Sequence, residues 1–69
     1  MSTLTLTVNG EPRTLPAPAT VADLLTAMEL LGKRLAVERN GEIVPKGQHS
    51  TCALHSGDRL EIVVAVGGG

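Results

Sequence analysis

Two Asn-Gly dipeptides, Asn9-Gly10 and Asn40-Gly41, constrain this 69-residue chain more than anything else in it. Each sits between short runs of strand-forming residues. A two-residue type I′ turn needs positive φ at both central positions. Asn tolerates that conformation and Gly adopts it freely, so Asn-Gly is the strongest short-range hairpin signal. The chain therefore reads as two β-hairpins, and the remaining segments must fit around them.

Thr3-Leu4-Thr5-Leu6-Thr7-Val8 alternates strictly, with Leu4, Leu6 and Val8 on one face and threonines on the other. That is the period-two pattern of a half-buried strand. The return strand, Glu11 to about Leu15, carries Pro12, which cannot donate to a ladder; an edge position is expected. In the second hairpin Leu35 to Arg39 pairs with Glu42 to Val44, and Pro45 ends it. A last strand, Arg59 to Val66, places Leu60, Ile62, Val64 and Val66 on one face. Glu61, Val63 and Ala65 lie on the other. A strand with apolar residues on both faces belongs in the middle of a sheet.

Between the hairpins, Pro16-Ala17-Pro18-Ala19 is a stiff connector. Thr20 reads as a helix N-cap, with Asp23 completing a capping-box-like pair. Val21, Leu24, Leu25, Met28 and Leu31 then form one apolar stripe on a predicted three-turn helix. Gly32 is placed to end it, and Lys33-Arg34 to complement its dipole. Lys46 to Leu54 shows no period and reads as an irregular crossing loop, and His55-Ser56-Gly57-Asp58 as a turn.

One helix covers only one face of such a sheet, which makes this an α+β domain with the other face open. With the last strand central and the first beside it in parallel, the arrangement is the β-grasp of ubiquitin-like proteins. It consists of a mixed four- to five-stranded sheet packed on one main helix. The domain is expected over residues 1–66. Residues 67–69 are expected to be a flexible tail, because consecutive glycines cost much entropy to fix and bring no side-chain contacts.

Composition narrows the function. Hydrophobic residues make up 42% of the chain, yet none is aromatic. Stacking platforms for single-stranded nucleic acid are therefore missing, and a net charge of −1 gives no phosphate-tracking surface. Nucleic acid is not an expected partner. Neither is a membrane, since the longest apolar run, Ile62 to Val66, is far too short to span one. Met1-Ser2-Thr3-Leu4 carries no signal-peptide pattern, and a cytoplasmic location is expected. The single cysteine, Cys52, excludes an internal disulfide. Between His49 and His55 it offers only three metal ligands at unusual spacing, and surface histidines with a small buried thiol are the plainer reading.

No phosphate-binding glycine loop, nucleophile elbow or zinc-helix motif is present. The C-terminus differs from the rest. A strongly apolar strand runs directly into Gly67-Gly68-Gly69. Without a Cβ, Gly67 and Gly68 can thread a narrow channel and bring the Gly69 carboxylate to a buried active site of another protein. A carboxylate is a poor acyl group until it is converted to a mixed anhydride with AMP, which a sulfur nucleophile can attack. On this reading the chain is a co-substrate and not an enzyme. Val63 and Ala65 on the open face, beside Thr3, Thr5 and Thr7, with Val66 next to them at the strand end, are the expected docking patch for partners.

Three segments taken in order resemble the ThiS family of sulfur carriers. They are Val37-Glu38-Arg39-Asn40-Gly41-Glu42-Ile43-Val44-Pro45-Lys46, Ser56-Gly57-Asp58-Arg59-Leu60-Glu61-Ile62-Val63 and Ala65-Val66-Gly67-Gly68-Gly69. Asn9-Gly10-Glu11 and the helix start at Thr20-Val21 are similar as well. The loop after Pro45, which often holds an aromatic in that family, here reads Lys46-Gly47-Gln48-His49. The resemblance implies ATP-dependent adenylation of Gly69 by a ThiF-like adenylyltransferase and conversion to a thiocarboxylate with sulfur from a desulfurase. It further implies delivery of that sulfur to a ThiG-like thiazole synthase. No bound cofactor is implied, since ATP and the sulfur donor are used by the partner enzymes. The free protein is expected to be monomeric. A MoaD-like carrier for molybdopterin, a carrier for tRNA thiolation, and a ubiquitin-like modifier joined to lysines would use the same tail.

Overall fold

A computed structural model of the chain describes residues 2–65. Both Asn-Gly pairs form the turns their φ requirement predicts: Asn9 and Gly10 have φ of 50° and 84°, Asn40 and Gly41 of 52° and 87°. Strands β1 (Thr3–Val8) and β2 (Glu11–Pro16) form the first hairpin, and β3 (Leu35–Arg39) and β4 (Glu42–Val44) the second. Helix α1 (Val21–Ala27) lies between the hairpins in sequence, and β5 (Arg59–Val64) closes the fold.

The five strands are ordered β2-β1-β5-β3-β4. β5 runs parallel to β1 and antiparallel to β3, so the doubly apolar strand is central and the proline-bearing β2 is an edge. This is the expected β-grasp topology, with five strands. The core lies between the sheet and α1. Leu6 and Val8 from β1, Val37 from β3, and Leu60 and Ile62 from β5 meet Val21, Leu24 and Leu25 of the helix. Leu24 and Val21 are fully buried. Burial of each such aliphatic side chain contributes roughly 1.5–3 kcal/mol, which is how a domain with no aromatic residue holds together.

The helix begins as the sequence predicts. Asp23 N–H donates to Thr20 Oγ1 at 3.2 Å, and Thr20 N–H donates to Asp23 Oδ2 at 2.8 Å, a complete capping box. Its end is different. The expected third turn does not form: α1 stops at Ala27, and the left-handed residue that ends it is Glu29, with φ 60°, while Gly32, with φ 85°, turns the chain again three residues later. Leu30 N–H reaches Leu25 O at 2.7 Å and Glu29 N–H reaches Thr26 O at 3.0 Å, the two bonds of a Schellman motif. The reversal carries Leu30 onto the core and leaves Leu31 60% exposed, so the apolar stripe ends one residue earlier than its period suggests.

The expected Lys33-Arg34 complement to the helix end is also replaced. The carbonyl of Ala27 accepts from Arg13 Nη2 at 3.1 Å, a cation supplied by β2. Residues 46–54 are more ordered than predicted. They contain a 3₁₀ turn (Lys46–Gln48), a bridge between Thr20 and Ala53, and a buried Leu54. None of the described helices is long and apolar enough to cross a membrane.

Candidate functional site

The last strand is held at its start by a polar cluster. Asp58 precedes β5 in phase with Leu60 and Ile62, so its carboxylate falls on the core face and is only 6% exposed. It accepts from Arg39 Nε at 2.8 Å, from His55 N–H at 2.8 Å and from Asn40 Nδ2 at 3.1 Å. Burial by itself would push the Asp58 carboxyl up. The hydrogen bonds from Arg39, His55 and Asn40 outweigh it and hold the group below the usual carboxylate range. The same contact, with Asp58 as its main partner, raises the Arg39 guanidinium further above its ordinary value.

Both turn asparagines also grip β5. The Asn9 amide exchanges two hydrogen bonds with the backbone of Ile62, and Asn40 Oδ1 accepts from Arg59 N–H at 2.9 Å while Asn40 N–H donates to Arg59 O at 2.7 Å. Sequence reasoning assigned these asparagines to turns alone. The turn geometry gave no sign of their reach to β5. The burial of Asp58 was legible in principle, since it is spaced two and four residues before Leu60 and Ile62.

At its far end β5 projects past the first hairpin. Its parallel pairing with β1 covers only Thr7 with Arg59 and Val8 with Leu60. Beyond that, its neighbour is β3, with Ala36 opposite Val63 and Leu35 opposite Val64. Ala65 N–H still donates to Arg34 O at 2.9 Å. The expected placement of Val63 and Ala65 beside Thr3, Thr5 and Thr7 is therefore corrected. Parallel registry puts the threonines toward the start of β5, and Val63 stands next to Ala36. Val63 is 67% exposed, and Ala65 is exposed as well. Ile43 of β4, 62% exposed, lies on the same face, opposite Glu38, which in turn faces Glu61. Val66, Gly67, Gly68 and Gly69 lie outside the described residues.

The other reactive side chains are dispersed. His49 Nε2 donates to Val44 O at 3.1 Å, Cys52 packs half-buried against the core, and His55 is exposed in the turn before Asp58. Among the described residues no three His, Cys, Asp or Glu side chains gather as a metal site. The arrangement is a rigid strand, clamped at its start and along its edges, that leads an exposed apolar end toward the glycines.

Comparison with known proteins bears on this arrangement. Residues 6–69 match the model of the ThiS family. The sulfur carrier protein ThiS of Bacillus subtilis is 44% identical over 50 residues, which are 72% of this chain and 76% of that protein. A thiazole synthase of Paramagnetospirillum magneticum is 47% identical over 64 residues, 93% of this chain but only 20% of that protein. The chain thus spans about a fifth of the thiazole synthases it matches. The crystal structure of a thiamine biosynthesis protein, ThiS, from Geobacter metallireducens superimposes with a TM-score of 0.79 at 32% identity. The match covers 96% of this chain and 100% of that one.

Proposed function

Because the chain belongs to the ThiS family, we propose that it is a sulfur carrier of thiamine biosynthesis whose Gly69 carboxylate holds the sulfur. The observation that carries this reading is the family match running from β1 through the glycines. A protein of this kind contributes a substrate group and a docking surface, and other proteins contribute the catalysis.

The chemistry follows from the carboxylate. A ThiF-like adenylyltransferase joins the Gly69 carboxylate to the α-phosphate of ATP and releases pyrophosphate. The persulfide of a desulfurase then attacks the acyl carbon and expels AMP, and a thiol reduces the resulting acyl disulfide, becoming part of a disulfide itself and leaving the thiocarboxylate. Gly67 and Gly68 supply reach without side-chain bulk. Val63, Ala65 and Val66 are assigned to docking, and the exposure of Val63 and Ala65 supports that assignment. The acceptor is a ThiG-like thiazole synthase. In P. magneticum a stretch similar to this chain is part of a polypeptide called thiazole synthase, which favours direct partnership between the two.

The test is intact-mass analysis after incubation with ATP, a sulfur donor and the cognate ThiF-like enzyme. A sulfur-for-oxygen exchange in the full chain, and none in a chain lacking Gly69, is the expected result. Isopeptide-linked adducts on lysines instead would make the protein a modifier. Thiolation of the chain lacking Gly69 would remove the central assignment.

A further inference from the structure

The α1 side of the molecule, away from the open sheet face, carries a cavity of about 250 Å³. Its apolar wall comes from Ala22 and Leu25 of α1, from Leu31, and from Leu35 at the start of β3. Lys33, Arg34 and Lys46 line it as well, three of the chain's six Lys and Arg residues. No acidic residue does, and among the described residues these three have no ion-pair partner, the only pair being Arg39–Asp58.

We propose that this cavity docks a segment of a partner protein in which one large apolar side chain stands among carboxylates. Size argues for a single side chain. An apolar cavity of about 150 Å³ holds a benzene ring, whereas sites for drug-sized ligands run from about 300 to 1,000 Å³. At 250 Å³ there is room for one aromatic or large aliphatic group and not for a nucleotide. Charge argues for the flanking residues. Three cations around an apolar wall, with no acid among the lining residues, leave a local positive field in a protein whose net charge is −1. A segment that brings carboxylates satisfies this field, and its apolar side chain covers Leu31, which is 60% exposed.

Position adds a reason for docking here. The Arg34 carbonyl accepts from the N–H of Ala65, and Leu35 pairs with Val64, so the cavity borders the last described residues before the glycines. A segment seated in it lies beside the end of β5, and one partner can hold the cavity and the strand end together.

The absence of any Trp, Tyr or Phe in the chain makes the test direct, because the fluorescence of a tryptophan probe is free of background. The probe is acetyl-Asp-Glu-Trp-Glu-Asp-amide, titrated with the full-length protein. A blue shift with saturable binding is expected. The Lys33→Glu, Lys46→Glu double variant should bind about tenfold more weakly with an unchanged far-UV circular dichroism spectrum, and 0.5 M salt should weaken the wild type, as screened charge pairs require. The proposal is overturned by an unshifted emission, by equal binding of the double variant, or by equal binding of acetyl-Lys-Lys-Trp-Lys-Lys-amide. Tighter binding by a chain truncated after Val66 would place the protein's own tail in the cavity and would overturn it as well.

Discussion

The side-chain amide of Asn9 and the backbone of Ile62 exchange two hydrogen bonds, Oδ1 accepting from the Ile62 N–H at 2.8 Å and Nδ2 donating to its carbonyl at 3.2 Å. Asn9 lies just past the end of β1, so its side chain continues the β1–β5 ladder where the backbone has already turned away. One residue thus adopts the positive φ of the turn and also covers the polar groups of the central strand.

Replacing Asn9 separates the two roles. Asn9→Gly keeps the turn conformation and loses the bonds to Ile62, which should cost about 1–3 kcal/mol. Asn9→Ala loses the same bonds and keeps a Cβ in the left-handed region without the amide that lets Asn tolerate it, adding roughly 1–2 kcal/mol relative to the glycine variant. Urea unfolding of the two variants should rank them wild type, Gly, Ala. Equal midpoints for wild type and Asn9→Gly would mean that the Ile62 bonds carry no net stability.

Asp58 sets a pH dependence. Its folded carboxyl titrates below the ordinary value, so the unfolded chain takes up its proton first as the solution is acidified. The stabilisation is full above the unfolded carboxylate value of about 3.9 and is lost as pH falls through the lower, folded one. Stability measured from pH 6 down to pH 2 should decline in the wild type, with a shallower decline in Asp58→Asn. At neutral pH that variant should be less stable by about 1–3 kcal/mol, because it leaves the half-exposed Arg39 without its carboxylate. Parallel pH profiles would show that Asp58 does not contribute.

Glu29 occupies a position that suits glycine. A left-handed non-glycine residue costs roughly 1–2 kcal/mol, and glycine returns part of that through the greater entropy of its unfolded chain. Glu29→Gly is expected to stabilise the protein by about 0.5–1 kcal/mol, seen as a rise of a few degrees in Tm. A fall in Tm would show that the Glu29 side chain makes a contribution larger than its backbone strain.

Val63 tests the open face. Its side chain is mostly in solvent, so Val63→Asp should leave the unfolding midpoint nearly unchanged. The same variant should raise the KM of the chain as a substrate for adenylation, with the spectrum of a folded protein retained. Adenylation kinetics identical to wild type would take Val63 out of the docking patch.

The strand and turn positions were legible because they rest on local rules. Alternation in Thr3–Val8 is a property of the pleat, and positive φ at Asn9-Gly10 and Asn40-Gly41 is a property of the turn. The helix start at Thr20 was legible for the same reason. Its end was not, because Leu30 and Leu31 offer two apolar residues in succession and either can close the stripe. Packing decided for Leu30. Its burial beside Leu25 outweighs the left-handed strain at Glu29, a comparison that local propensity does not contain.

The candidate site divides in the same way. Gly67, Gly68 and Gly69 stand out in the sequence by composition alone, and the family match extends through them. The exposed end of β5 came from its alternation, although its neighbour, Ala36 in place of the threonines, depended on how far a parallel strand slides along its partner. The pairing of acids and bases was decided only by folding. Arg39 and Asp58, nineteen positions apart, became a pair, and Lys33, Arg34 and Lys46 came to line one cavity.

By itself the sequence determined the strands, the two hairpins, the helix start and the central place of β5, since each follows from periodicity or from the φ a residue permits. Tertiary structure alone decided where the helix stops, which charges are buried and paired, which asparagine amides reach β5, and where a cationic cavity opens. Those outcomes depend on distances between residues far apart in the chain. No local pattern encodes such distances until the core has closed and set them.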